Sequence, residues 1–160
     1  MIPKKESGNR VNYFGGKILQ RVESPIVSIK FDGSFHPPHS PEAHKMVDEY
    51  IKSHPLEDDK VEFIDHESGP ELLVYLVLGT AAISLSKSIL DLIVAILKSR
   101  QEGIKHGDRN QTIFEIRVRG FDKGGNIQTE KKLEFRSSDA LDRDIVRESL
   151  QSVINKFLPK

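Results

Sequence analysis

The chain has no cysteine. That excludes disulfides, thiolate nucleophiles and cysteine-ligated metals. Neither sign of charge is in excess: Lys and Arg total 24, and Asp and Glu total 24, in 160 residues. Such a chain has no global pull toward nucleic acid or anionic lipid, and near-zero net charge slightly favours association. No apolar stretch follows Lys4 and Lys5, so no secretory signal is read there and the cytoplasm is the expected location. Internal repeats and long low-complexity tracts are missing. So are the usual signatures of chemistry. There is no Walker pattern, no His-Glu-x-x-His and no serine-nucleophile motif, so the chain reads as a non-enzyme without cofactors.

What stands out is residues 72–97. They open on seven consecutive apolar residues, Leu72-Leu73-Val74-Tyr75-Leu76-Val77-Leu78. Ser68 and Glu71 fit a capping box, Pro70 fits a first turn, and Lys98 and Arg100 complement the far end of a helix dipole. Gly103 and Gly107 then end the segment. This predicts one long apolar helix, roughly 39 Å at about 1.5 Å per residue, with a bend at Gly79-Thr80. Thr80, Ser84, Lys87, Ser88 and Asp91 form a narrow polar stripe on it, and Lys87 and Asp91 are spaced to pair. The charge-free run, residues 72–86, is shorter than the ~20 residues a membrane span needs. A buried helix is therefore the reading, ahead of a membrane-associated one.

Around this helix the chain reads as α+β. Residues 1–24 are a flexible or partly ordered segment, with a short strand over 17–22. Residues 25–160 form a single domain. Val27, Ile29 and Phe31 alternate with Ser28 and Lys30, which is a half-buried strand. Ser40-Pro41 starts a helix as cap and first position, with Ala43, Met46, Val47, Tyr50 and Ile51 on one face. Residues 60–66 form a second strand. Residues 101–111 are a polar loop. Residues 112–119 and 127–136 form a hairpin about Asp122-Lys123-Gly124-Gly125-Asn126. Ser137, Ser138 or Asp139 caps a last helix whose apolar face draws on Leu141, Ile145, Ser149, Leu150, Val153, Ile154, Phe157 and Leu158. One-sided alternation predicts a four- or five-stranded sheet with helices packed on one face.

Each cluster of reactive side chains has a plainer reading. His36, His39 and His44 lie close in sequence, but two prolines separate the first two and no carboxylate accompanies them in a metal-binding pattern. They read as surface histidines. Asp65-His66-Glu67 sits where a strand would meet a helix, a place that favours acids without catalysis. Gly15-Gly16-Lys17 and Lys123-Gly124-Gly125 read as turns. Arg117, Arg119, Lys131, Lys132 and Arg136 could line a basic face, but Glu115, Glu130 and Glu134 interleave with them. That mixing favours cross-strand ion pairs over a nucleic-acid surface.

Residues 70–158 resemble the effector-associated constant component domain found beside proteases, kinases and other effectors in bacterial conflict systems. The likeness rests on Leu73-Val74-Tyr75-Leu76-Val77-Leu78-Gly79-Thr80-Ala81-Ala82-Ile83, the basic exit Lys98-Ser99-Arg100, the hairpin and the capped last helix. Val27-Ser28-Ile29-Lys30-Phe31 and the helix after it would match the family's opening strand and helix. The chain departs from the family in its longer N-terminus, in Lys87-Asp91 and in carrying no attached effector. The resemblance implies a non-enzymatic adaptor that associates with another protein, such as an effector protease, a kinase or a toxin. It carries over no site residues. An immunity or inhibitor protein of a toxin pair is the alternative. Leu72, Leu73, Tyr75 and Leu76 are the candidate interaction residues. Homodimerisation or a stable partner complex is expected through that end or through the outer edge of the hairpin.

Overall fold

The computed structural model describes residues 26–32, 35–56, 61–66, 69–75, 85–121 and 124–157. Among these residues five strands and three helices follow in the order β1 (Ile26–Asp32), α1 (Pro41–Ser53), β2 (Val61–His66), β3 (Gly69–Tyr75), α2 (Lys87–Lys105), β4 (Ile113–Phe121), β5 (Ile127–Arg136) and α3 (Arg143–Ile154). A single 3-10 turn, Asn155–Phe157, follows α3. The strands form one antiparallel sheet in the order β2-β3-β1-β4-β5. The α+β class is as the alternation predicts, and the strand number is the larger of the two expected.

Alternate residues of the sheet face the helices. Val27, Ile29 and Phe31 of β1, Leu72 and Val74 of β3, Phe114, Ile116 and Val118 of β4, and Phe135 of β5 join one core with α2 and α3. Val47, Tyr50 and Ile51 of α1 pack against it. Helix α2 packs against both α1 and α3. It buries Ile89, Leu90, Leu92, Ile93, Val94, Ile96 and Leu97. Each such aliphatic side chain contributes about 1.5–3 kcal/mol. Lys87 and Ser88 stay exposed, as the polar stripe requires.

The long helix over residues 72–97 does not exist. Leu72, Leu73, Val74 and Tyr75 belong to strand β3, and α2 begins only at Lys87. The reason is burial on both sides of the sheet. Leu72 and Val74 enter the main core, while Leu73 and Tyr75 join Ile26 and Phe121 in a second cluster. A strand buried on both faces has no alternation to display. Glu71 is correspondingly a strand residue, not part of a capping box. The cap of α2 is Ser86, whose hydroxyl accepts from Ile89 N at 3.3 Å.

Smaller expectations also shift. Helix α2 continues through Gly103 to Lys105, and Gly107, at φ +109°, turns the chain afterwards. Asp91 engages Arg143 (3.6 Å). Helix α3 is capped by Asp142, which accepts from Ile145 N at 3.0 Å, rather than by residues 137–139. Ile145 lies on its exposed side, and Val146 takes the buried place. The segment 1–24, the strand over 17–22, Gly15-Gly16-Lys17, Ser68, Leu76, Gly79-Thr80 and Leu158 lie outside the described residues. No helix among the described residues is long and apolar enough to cross a membrane.

Candidate functional site

Strand β5 closes one side of the sheet among the described residues. Its sequence, Ile-Gln-Thr-Glu-Lys-Lys-Leu-Glu-Phe-Arg, turns Leu133 and Phe135 toward the helices and leaves most other side chains exposed. The direction of its backbone groups follows from two hydrogen bonds. Ser137 N donates to Thr112 O (2.8 Å), which continues the ladder with β4. Arg136 N points away from β4 and donates to Asp139 Oδ2 (2.9 Å). Bonded and non-bonded pairs alternate in an antiparallel ladder. The N–H and C=O groups of Glu130, Lys132 and Glu134 therefore point outward from the edge, in the plane of the sheet.

The charges along this edge are partly spent within the sheet. Arg119 Nε lies 2.6 Å from Glu130 Oε2, and Arg117 Nη1 lies 3.8 Å from Glu130 Oε1. Arg117 Nε reaches Asp32 Oδ2 at 2.6 Å, and Lys132 Nζ reaches Glu115 Oε2 at 3.5 Å. These cross-strand pairs are what the interleaved charges predict, and they break up any continuous basic face. Lys131, Glu134 and Arg136 make no ion pair among the described residues.

The residues singled out in the sequence are not brought to this edge. Leu72 and Leu73 are fully buried and Tyr75 nearly so. Those three offer no exposed apolar surface, and Leu76 lies outside the described residues. The histidines do not converge. His44 Nε2 bonds Phe35 O (2.7 Å) and its Nδ1 lies 3.7 Å from Asp65 Oδ2. His36 and His39 instead pack ring to ring at 4.0 Å, and His39 Nε2 meets Arg109 Nη1 at 3.1 Å. No three potential metal ligands cluster among the described residues. Asp65 lines a small cleft with His44, Phe35 and Ala43, and burial raises its pKa against the opposing charge of His44. His66 faces the opposite side of the sheet from Asp65, as neighbours in a strand do.

The chain matches no family model, no curated protein and no solved structure.

Three buried polar groups have places that sequence reasoning does not find: it assigns Glu71 to a capping box, Arg100 to the basic end of a helix, and Asp108 to no role. Asp108 accepts from Glu42 N and Ala43 N, at 3.0 and 2.9 Å, across the gap between α2 and α1. Arg100 is wholly buried, donates to Arg109 O and stands 6.0 Å over the Phe35 ring. Burial lowers its pKa, and Asp108 acts against that shift. Glu71 is 3% exposed, and its Oε2 has no hydrogen-bond partner among the described residues. Burial raises its pKa, although Arg119, Lys30 and His66 pull the other way. Asp108 and Arg100 tie α2 to the chain on either side of it, and Glu71 lies within the sheet.

Proposed function

We propose that the protein is a non-catalytic interaction module that binds another polypeptide along the edge of β5 that no other described strand pairs with. One observation supports this above the others: a ten-residue edge strand whose backbone groups point outward at Glu130, Lys132 and Glu134. An unpaired strand edge is a template for strand addition, in which main-chain bonds supply affinity and side chains supply selectivity. The resemblance to the effector-associated constant component domain adds a setting, a cytoplasmic adaptor in a bacterial conflict system. In that setting an effector protease, a kinase or a toxin is the protein that the assembled module recruits.

The test uses the outward N–H of Lys132. Lys132→Pro removes that donor while leaving the ladder to β4 in place, because proline is tolerated where the N–H of an edge strand faces solvent. Wild-type and variant protein are used as bait in the native host, with chemical melts as the control for folding. Loss of the co-purifying proteins from a folded Lys132→Pro variant is the expected result. Retention of the same proteins at the same yield would overturn the reading.

A further inference from the structure

The charges of β5 select one partner for its edge. Resting on the reading of β5 as a binding edge, we infer that the occupant is a second copy of this chain, its β5 antiparallel to the first about a two-fold axis at Leu133. The two five-stranded sheets become one continuous sheet.

The register follows from direct opposition of side chains. A two-fold axis perpendicular to the sheet places equivalent faces together, so outward-pointing residues meet outward-pointing residues and can exchange backbone bonds. Four axis positions pair more than half of the strand. An axis at Glu130 sets Glu130 against itself. One at Lys131 sets Lys131 against itself. One at Lys132 opposes Lys132 with Lys132 and Glu130 with Glu134. Like charges directly opposite are destabilising. The axis at Leu133 alone avoids them. It opposes Lys132 with Glu134 twice and Glu130 with Arg136 twice, and it places Leu133 on its own copy. Glu134 and Arg136, which make no ion pair among the described residues, gain one each. Lys131 then lies across from Phe135, whose ring is already buried in the core.

The same geometry closes the assembly. Lys132 and Glu134 of each copy exchange N–H···O bonds with Glu134 and Lys132 of the other. Asp139 already holds Arg136 N, so the ladder ends there. Each chain spends its β5 edge on its twin, which is an isologous contact that forms a dimer and stops.

The missing cysteines make the test direct. Single cysteines are placed at positions 131, 132, 133 and 134 of the full chain, under mild oxidation. Residues on the axis in a non-bonded pair lie about 4.5 Å apart, within reach of a disulfide. Leu133→Cys is expected to give a covalent dimer, and the other three far less. In light scattering, wild type is expected to be dimeric and Lys132→Glu to dimerise at least about tenfold more weakly, since two opposed pairs become repulsive. Lys132→Glu combined with Glu134→Lys restores opposite charges and is expected to restore the dimer. Preferential cross-linking at 131 or 132 would overturn the register. A monomeric wild type with no cross-link at 133 would overturn self-pairing altogether. That result would still leave β5 as a binding edge, which the Lys132→Pro comparison decides separately.

Discussion

Asp108 caps a helix whose Ala43 lies 65 residues before it: its Oδ2 accepts from Ala43 N at 2.9 Å, and its Oδ1 takes Glu42 N. Ser40, the residue in the local cap position, makes no side-chain cap bond and donates its hydroxyl to His36 O instead. The unpaired donors of the first turn of α1 are thus satisfied from the turn that follows α2. Asp108→Ala is expected to lower stability by about 1–2 kcal/mol, the usual cost of losing a cap. Ser40→Ala should cost less. Urea melts of the two variants check the order, and a larger loss from Ser40→Ala would remove Asp108 from this role.

Gly103 makes that capping contact sterically feasible. A Cβ at this position would collide with the Asp108 carboxylate and press on Ala43 N. Helix propensity alone says that Gly103→Ala gains about 1 kcal/mol. The expected outcome is the opposite sign, a loss of about 1–3 kcal/mol from overpacking. Thermal denaturation decides between the two signs, and Gly103→Ala combined with Asp108→Gly should recover part of the loss.

Leu90 and Lys87 stand one turn apart on α2 with opposite exposures. Leu90 is buried in the main core and Lys87 faces solvent. Leu90→Ala should lose about 2–5 kcal/mol. Lys87→Ala should change stability by no more than ~0.5 kcal/mol. Equal, small effects in urea would mean that α2 is not the centre of the core.

Glu71 gives stability a pH dependence of unusual sign for a carboxylate. Its pKa is raised in the folded chain above the ordinary 4.5, chiefly by burial. The folded state therefore holds this proton more tightly than the unfolded state does. The contribution is most favourable below pH 4.5 and declines as pH rises through the folded pKa. Glu71→Gln removes the charge and keeps the shape, so it should be the more stable protein at pH 7. The two should converge near pH 3. Midpoints in urea at both pH values test this; a less stable Glu71→Gln at pH 7 would mean that Arg119 and Lys30 outweigh burial.

The parts of this fold that were legible in the sequence are those where polar residues alternate with apolar ones. Phe114, Ile116 and Val118 alternate with partly exposed polar residues, and Val27, Ile29 and Phe31 alternate with Ser28 and Lys30, although Ser28 is itself buried and β1 is not the half-buried strand that the pattern suggests. The α1 stripe from Ala43 to Ile51 was readable for the same reason. Residues 72–75 carry no such contrast. An unbroken apolar run fits a buried strand as well as a helix, and Pro70 is unusual inside a paired strand. Of the candidate edge, the charges of β5 were visible, and so was the hairpin that carries it. Its outward backbone direction depends on Asp139 and Thr112, which only the folded ladder brings to it. Asp108 was invisible as a cap because its partners are remote in the chain, and local pattern reading reaches only a few residues either way.

The place of β1 has a consequence for how the chain is made. It is the first described strand, yet it lies in the middle of the sheet, between β3 and β4. Ile26 is paired with both Tyr75 and Phe121. On the ribosome, Ile26–Asp32 emerges long before either neighbour exists. It must wait, with Ile26, Val27, Ile29 and Phe31 unburied, until β4 has been synthesised. Non-local pairing of this kind slows folding, and waiting apolar strands are exposed to aggregation. Nascent chains ending before residue 113 should therefore bind holdase chaperones, and release should follow once β4 clears the exit tunnel.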